Sequence, residues 1–304
     1  MNPTMISKVR KYLAFRRGLG FRLKSEGYQL LQFARYADDL GHRGPLTRRL
    51  ATDWACSTKS AQRFSWARRL EVVRTFARHL SAAEPRTQLP PRHLFGPAHR
   101  RLGPHLYSGA QIQQLLRRAG RLRGDLRPYT WKTLIGLLAC TGLRVSEARR
   151  LKLTDVDWRQ SLLIIRESKY GRTRWVPLHP TAMAALRSYD RRRRARFPLA
   201  QYFLVSAAGT QLRPSIIGET FRQLRKGIRF DRHPPRLHDL RHTMASRVLR
   251  RWLNHRRGGI DHILLLSRFL GHSQIRHTYW YLSALPHLLR EAAERIVPNV
   301  HENQ

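Results

Sequence analysis

The spacing of hydrophobic positions predicts that the first part of the chain is helical. Three stretches carry apolar side chains at every third or fourth position: SKVRKYLAFRRGLGF, EGYQLLQFARYADDLG and QRFSWARRLEVVRTFARHLSAA. This period places the apolar residues on one face of a helix. Between the last two stretches, Asp53 is expected to cap the start of a short helix. The pattern predicts an N-terminal helical domain over residues 1–86.

The next stretch, residues 87–104, is rich in proline and favours neither a helix nor a central strand. Proline fixes its own φ and lacks the N–H that either element needs. We therefore expect an extended linker here, followed by a second domain over residues 105–304.

The second domain shows mainly helical periodicity with one break. SGAQIQQLLRRAG predicts a helix capped by Ser108, and YTWKTLIGLLACTG predicts a buried helix that ends at Gly142. Val145 or Ser146 is expected to open another helix. SLLIIRES and TRWVPL are β-branched and aromatic runs on either side of a glycine, which predicts a β-hairpin. Further helices are predicted in TAMAALRSYDRRRRARF, PSIIGETFRQLRKG, LHDLRHTMASRVLRRWL, IDHILLLSRFLG and LPHLLREAAERIV. The predicted fold class is mainly α with a small antiparallel sheet.

The net charge points to a polyanionic partner. The 304 residues include 59 Lys+Arg against 19 Asp+Glu, a formal net charge of +40. So much like charge repels itself in a compact protein unless a polyanion neutralises it, and nucleic acid is the obvious candidate. Because 41% of the residues are hydrophobic, both parts can form a core. Non-specific RNA or DNA binding is the simplest alternative explanation of the charge.

Other function classes find no support in the sequence. No apolar run approaches the ~20 residues that span a bilayer. Cys56 and Cys140 stand alone, which indicates a reduced, cytoplasmic protein without a disulfide framework. There is no P-loop, no dinucleotide-binding fingerprint and no cluster of metal-ligand residues, so we expect neither a metal nor another cofactor.

A scattered set of residues suggests chemistry on a DNA phosphate. Its members are Arg144 in TGLRVSE, Lys169 in ESKYGRTRWVPL, His238 and Arg241 in HDLRH, His272 in LGHS and Tyr281 in TYWYL. Without a metal, fixed cations must neutralise the non-bridging oxygens of a phosphodiester, and arginine binds them with a planar fork. Histidines can donate hydrogen bonds or move the proton, and a lysine can act as a general acid. A tyrosine becomes a nucleophile when neighbouring cations favour its phenolate.

These motifs together resemble the tyrosine recombinases, the phage integrase family. TGLRVSEARRLKLTDVDW is similar to the family's first-arginine motif, SKYGRTRWVPL to its hairpin, and HDLRHTMAS to its H-x-x-R motif. The nucleophile of the family falls about nine residues after the second histidine, which selects Tyr281 over Tyr279. Glu147 lies three residues after Arg144 and could orient it. Within the hairpin, Lys169 is preferred over Arg172 as the proton donor because arginine stays protonated.

The resemblance implies a function and partners. It implies a site-specific recombinase that cleaves and rejoins double-stranded DNA through a 3′-phosphotyrosyl intermediate without metal or ATP, as a tetramer. The N-terminal domain would be the family's core-binding domain. Alternatives are a catalytically inactive DNA-binding accessory protein and a type IB topoisomerase. Residues predicted to contact DNA are Arg68, Arg69 and Arg74 in the N-terminal domain, and Arg172 and Arg174 in the hairpin.

Overall fold

The computed structural model describes residues 3–58, 62–98, 103–166, 173–230, 234–254 and 260–283. The chain forms two compact units, Met1–Leu102 and Gly103–Gln304. Two of the predicted features, the hairpin tip with Lys169 and Arg172 and the helix in LPHLLREAAERIV, lie outside the described residues. Among the helices that are described, none is long and apolar enough to cross a membrane.

The N-terminal unit is helical in its described part. Its helices are α1 (Met5–Gly18), α2 (Lys24–Asp39), α3 (Arg48–Cys56) and α4 (Arg63–Leu80). Thr47 caps α3: it is extended, and its hydroxyl accepts a hydrogen bond from the N–H of Leu50. Asp53, which the sequence suggested as a cap, lies inside α3 and faces Arg49 across one turn. Thr47 takes the cap because it lies one residue before the first helical position, as a capping side chain must.

The three stretches with helical periodicity form helices whose apolar faces meet in one core. Val9, Phe33, Trp54 and Phe76 are all buried in one cluster formed by α1 to α4. Phe33 and Trp54 pack edge to face, with ring centroids 5.4 Å apart. The apolar stripes therefore meet each other and leave the arginine-rich faces toward solvent.

The C-terminal unit consists of helices and a small sheet in its described part. Its described helices are α5 (Gly109–Gly120), α6 (Arg127–Thr141), α7 (Val145–Ala148), α8 (Pro180–Arg196), α9 (Pro214–Arg225), α10 (Asp239–Asn254), α11 (Ile260–Leu270) and α12 (Arg276–Ser283). Ser108 forms a capping box with Gln111 at the start of α5, and Gly142 ends α6, as the sequence predicts. Together with the sheet, these helices confirm the mainly α fold class.

The described sheet has three antiparallel strands in the order β1 (Val156–Asp157), β2 (Leu162–Ile165) and β3 (Arg174–Pro177). β2 and β3 form the predicted hairpin, with Leu163 opposite Val176 and Ile165 opposite Arg174. β1 is two residues long and was not predicted, because two residues are too few to show the alternation of apolar and polar side chains that marks a strand. β3 carries Arg174, which bonds to Glu147 on α7 and to the carbonyl of Phe269 on α11, where the candidate site lies.

Candidate active site

Arg144 lies at the start of α7, directly after the turn that ends α6. Gly142 makes this turn with a φ of +62°, in the left-handed region that glycine adopts easily. Arg144 is the N-cap residue of α7, so the predicted helix start at Val145 is confirmed. Its Nη1 donates to Glu147 Oε1 at 2.8 Å, and its Nη2 donates to the carbonyl of Gly271 at 3.0 Å. The tight turn thus points the guanidinium at the end of α11.

Glu147 is a buried carboxylate between two arginines. The guanidinium of Arg174 donates to both of its oxygens, at 3.1 and 2.8 Å, and the backbone N–H of Arg144 donates to Oε2 at 2.9 Å. Burial raises the pKa of the carboxyl, but the bonds and charges of Arg174 and Arg144 outweigh this and lower the pKa to about 2. Glu147 is therefore ionised at neutral pH and lies where it can orient Arg144.

Arg241 is buried in the first turn of α10. Its Nη1 donates to the carbonyl of Gly142 and its Nη2 to the carbonyl of Leu270, both at 2.7 Å. These carbonyls belong to the C-terminal ends of α6 and α11, where the helix dipoles are negative and favour a cation. Burial and the nearby guanidinium of Arg144 lower the pKa of Arg241 to about 10, so it stays charged at neutral pH.

Tyr281 on α12 is the tyrosine that faces this cluster. It is 2% exposed, whereas Tyr279 on the same helix is 38% exposed. Residues two positions apart on a helix project about 200° apart, so the two phenols point in nearly opposite directions. Burial raises the pKa of the Tyr281 phenol, while the charge of Arg241 and a hydrogen bond from its side chain act to lower that pKa. The structure thus places Tyr281, and not Tyr279, next to Arg241.

Two histidines, His272 and His242, pack on the phenol, and His238 packs on the far side of His242. The ring of His272 stacks on Tyr281 with centroids 6.0 Å apart, and its Nδ1 is 2.7 Å from the hydroxyl of Thr278. Burial and the charge of Arg241 lower the pKa of His272 to about 3. His238 keeps an exposed edge, yet desolvation and the charge of Arg241 lower its pKa to about 4. These rings are neutral at pH 7, so they can either donate or accept a hydrogen bond.

Two members of this cluster were not singled out in the sequence. His242 packs between His238 and Tyr281, with ring centroids 4.9 and 5.4 Å away, and burial lowers its pKa to about 3. Its i, i+4 spacing from His238 is a signal that could have indicated a shared face. Thr278 is fully buried and fixes the ring of His272; nothing in its sequence position distinguishes it.

One expectation about His238 needs correction. It was placed on one helix with Arg241, but it lies in the turn just before α10. Asp239, the first residue of α10, accepts a hydrogen bond from the backbone N–H of Arg236 at 2.7 Å, which turns the chain ahead of the helix. The N–H of Arg241 still donates to the carbonyl of His238 at 3.1 Å, so the two residues remain neighbours.

The arginine predicted to contact DNA from β3 is engaged inside the protein. Arg174 is 10% exposed and binds Glu147, and its Nε donates to the carbonyl of Phe269 at 3.0 Å. Its guanidinium is therefore largely buried and occupied by bonds within the protein. The other hairpin residues, Lys169 and Arg172, lie outside the described part of the chain.

The three N-terminal arginines differ in their surroundings. Arg68 is exposed. Arg69 lies 3.9 Å from the centre of the Trp54 ring and donates to the carbonyl of Trp54. Arg74 donates to the carbonyl of Pro90. Arg69 and Arg74 therefore make contacts within their own unit, and Arg68 is the one of the three that presents its charge to solvent.

The charges at the site do not balance. Among the described residues, Arg144 and Arg174 bind the buried carboxylate Glu147, Arg241 is held by carbonyls, and the other buried carboxylate nearby, Asp239, is paired with Arg236. The excess positive charge lies beside a buried phenol and neutral imidazoles. Such a pocket attracts an anion with several oxygens, and a phosphodiester fits that chemistry.

A mainly helical unit with paired arginines beside a buried tyrosine defines the class of the tyrosine recombinases. Residues 107–287 match the Phage integrase family, and the chain belongs to that family. It is 41% identical over 307 residues to the Sinorhizobium fredii protein described as integrase/recombinase y4rB, covering 96% of this chain and 97% of that one. The resemblance seen in the motifs is thereby confirmed.

Solved structures share the fold at low sequence identity. One is the Tn1549 transposon integrase in complex with transposon right end DNA, with a TM-score of 0.70 and 17% identity over 97% of this chain and 99% of that one. Another is a lambda integrase tetramer bound to a Holliday junction, with a TM-score of 0.64 and 16% identity over 92% of this chain and 77% of that one. These likenesses agree with the fold class argued above.

Proposed function

We propose that the protein is a site-specific recombinase that cleaves and rejoins DNA through a 3′-phosphotyrosyl intermediate, and that it serves the integration, excision or transposition of a mobile element. The observation that carries the proposal is the burial of Tyr281 against Arg241 while Tyr279 faces solvent. Family membership and the transposon integrase with the same fold support it.

In the proposed reaction, the Tyr281 oxygen attacks the scissile phosphorus and the bond from phosphorus to the 5′ oxygen breaks. Arg144 and Arg241 bind the non-bridging oxygens, and His238 and His272 donate further hydrogen bonds. Lys169 supplies a proton to the leaving 5′ oxygen. A 5′ hydroxyl of a partner strand then attacks the same phosphorus and releases the tyrosine, so the number of phosphodiester bonds is conserved.

The pKa shifts set a requirement for this chemistry. Burial keeps Tyr281 protonated in the DNA-free protein, so a group must take its proton as the attack begins. His272 and His242 pack on the phenol and are neutral at pH 7, and the negative charge of a bound phosphate would raise their lowered pKa values so that one of them can accept it. The phenolate would then be stabilised by Arg241, which already bonds to Tyr281 and remains charged.

We expect the active form to be a homo-tetramer on double-stranded DNA in the cytoplasm. Four copies with a net charge of +40 each repel one another until DNA neutralises them. The lambda integrase tetramer on a Holliday junction supports this arrangement. Sedimentation with and without duplex would contradict the proposal if the tetramer formed equally well without DNA.

The proposed chemistry is tested by covalent trapping. Nicked suicide duplexes made from the DNA that flanks the protein's own gene are incubated with the wild type, Tyr281→Phe and Tyr279→Phe, and denaturing gels show any protein–DNA adduct. We expect an adduct that is lost in Tyr281→Phe alone. Loss of the adduct in Tyr279→Phe alone would identify Tyr279 as the nucleophile. DNA binding without any adduct would favour an accessory DNA-binding protein.

A further inference from the structure

Arg174 on β3 shares its carboxylate partner with Arg144. Its two Nη atoms hold both oxygens of Glu147, which in turn binds the side chain and backbone of Arg144. A planar guanidinium fits such a two-point contact, whereas a lysine would offer a single charged nitrogen. Arg174 thus contacts, through Glu147, the residue Arg144 that the proposed function places on the phosphate.

A second contact ties Arg174 to the end of α11. Three consecutive carbonyls there, of Phe269, Leu270 and Gly271, each accept from a different arginine. The donors are Arg174 at 3.0 Å, Arg241 at 2.7 Å and Arg144 at 3.0 Å, respectively. The last carbonyls of a helix have no partner within the helix, so these bonds satisfy them and fix the direction in which the chain leaves α11.

Gly271 shows how closely Arg174 packs on this segment. A Cβ at Gly271 would lie 2.7 Å from Nη1 and 2.9 Å from Cζ of Arg174. The glycine also has a φ of +66°, which other residues rarely adopt. The guanidinium therefore occupies the place of a side chain at the position directly before His272.

We propose that Arg174 is a positioning residue for the phosphate site: it holds Glu147 against Arg144 and holds the end of α11 so that His272 faces Tyr281. This inference rests on the proposed function, because it assigns Arg174 a role in that reaction. It replaces the prediction of a DNA contact. It also links β3, the strand that follows the segment with Lys169, to the residues on α7 and α11.

The matched control is Arg193 on α8. It is 1% exposed, its Nε and Nη2 bind Asp190 at 3.2 and 2.8 Å, and its Nη1 donates to the carbonyl of Phe197. Arg193→Met removes the same kind of buried arginine as Arg174→Met, with a comparable expected loss of stability, but from a different carboxylate. Arg174→Lys keeps the charge and one of the two contact points.

The first measurement uses the protein alone. Amide hydrogen exchange is followed at Gly271 and His272, whose N–H groups donate to the carbonyls of Arg268 and Ser267 at 2.9 Å. We expect exchange at these two amides to be at least about tenfold faster in Arg174→Met than in Arg193→Met, because only the first loses the clamp on α11. Equal exchange in the two variants would overturn the proposal.

The second measurement separates positioning from DNA contact. With saturating suicide duplex, we expect Arg174→Met to slow adduct formation by roughly 10- to 100-fold, the cost of a misplaced catalytic group. Its Kd for the duplex and its salt slope should match those of the wild type, and Arg174→Lys should recover part of the rate. A weaker Kd with a slope smaller by about one, at an unchanged rate, would make Arg174 a phosphate contact and refute the proposal.

The two measurements keep the two proposals apart. If the wild type forms no adduct, the proposed recombinase chemistry fails, and the exchange rates at Gly271 and His272 alone decide whether Arg174 holds the end of α11. If the adduct forms but its rate is the same in Arg174→Met and Arg193→Met, the chemistry stands and the positioning role is refuted.

Discussion

Replacing Glu147 with glutamine tests the electrostatic centre of the site. The side chain of Glu147 is 1% exposed, and its oxygens accept hydrogen bonds from Arg144 and from both Nη atoms of Arg174. Glutamine has nearly the same shape, but it carries no charge and presents an NH₂ group to a guanidinium that can only donate. The substitution therefore leaves two arginines without their counter-charge.

The pKa of Glu147 gives the size of the effect. The pKa falls from 4.5 to about 2, and each unit corresponds to about 1.4 kcal/mol, so the ionised form stabilises the fold by about 3 kcal/mol. Because the folded pKa is the lower one, this stabilisation is complete above pH 4.5 and is lost as the pH falls toward 2. Breaking a buried ion pair costs about 3–5 kcal/mol in general, which agrees.

The assay is urea unfolding of the wild type and Glu147→Gln between pH 7 and pH 3. We expect the variant to be about 3 kcal/mol less stable at pH 7, with a difference that shrinks as the medium becomes acidic. The lowered pKa values of His238, His242 and His272 also reduce stability below pH 6.5, but they do so in both proteins and cancel in the difference.

The control is Glu219→Gln, an exposed glutamate on α9, which should change stability by less than about 0.5 kcal/mol. A loss below about 1 kcal/mol for Glu147→Gln at pH 7 would refute the reasoning, since it would mean that the buried bonds contribute little net stability. A difference that stayed constant down to pH 3 would refute it as well, because a titrating carboxylate cannot produce that result.

Three further predictions concern single side chains. In urea unfolding, Gly271→Ala should lower the free energy of unfolding by about 1–2 kcal/mol because of the left-handed φ at this position, and it should also displace Arg174. The control is Gly218→Ala inside α9, where the added Cβ meets no atom within 4 Å, and this change should be neutral or stabilising. Arg69→Met should cost about 1–2 kcal/mol through its contacts with Trp54. Arg68 is exposed, so Arg68→Met should leave stability unchanged. It should reduce the salt slope of DNA binding by about one, and a salt slope equal to that of the wild type would contradict the predicted DNA contact.

The elements that the sequence predicted are those that local chemistry determines. Ser108 and Gly142 mark helix ends because a capping hydroxyl and a left-handed φ are properties of one or two residues. The hairpin follows from two short β-branched runs. The cap at Thr47 was missed because Asp53 is an equally good capping residue by type, and only the position at which the chain turns distinguishes the two.

The partners of the arginines could not be predicted in this way. Arg69 and Arg74 stand on α4 beside the exposed Arg68, and the periodicity of the helix does not show that Trp54 and the carbonyl of Pro90 lie within reach of the first two. Each partner comes from a distant segment of the chain. For a protein with 59 basic residues, the type of residue says little about which of them bind DNA.

The bonds that hold the site arginines explain how the site can be ordered and still have positive charge left to bind an anion. Glu147 is the carboxylate that binds Arg144 and Arg174, and it neutralises one of the positive charges there. Arg241 is held by carbonyls at the ends of α6 and α11, and these carbonyls are dipoles that carry no net charge. These carbonyls fix the direction of the guanidinium without cancelling its charge. A second acid in place of the helix ends would have fixed Arg241 equally well, but it would have left little charge for the phosphate that the proposed reaction requires.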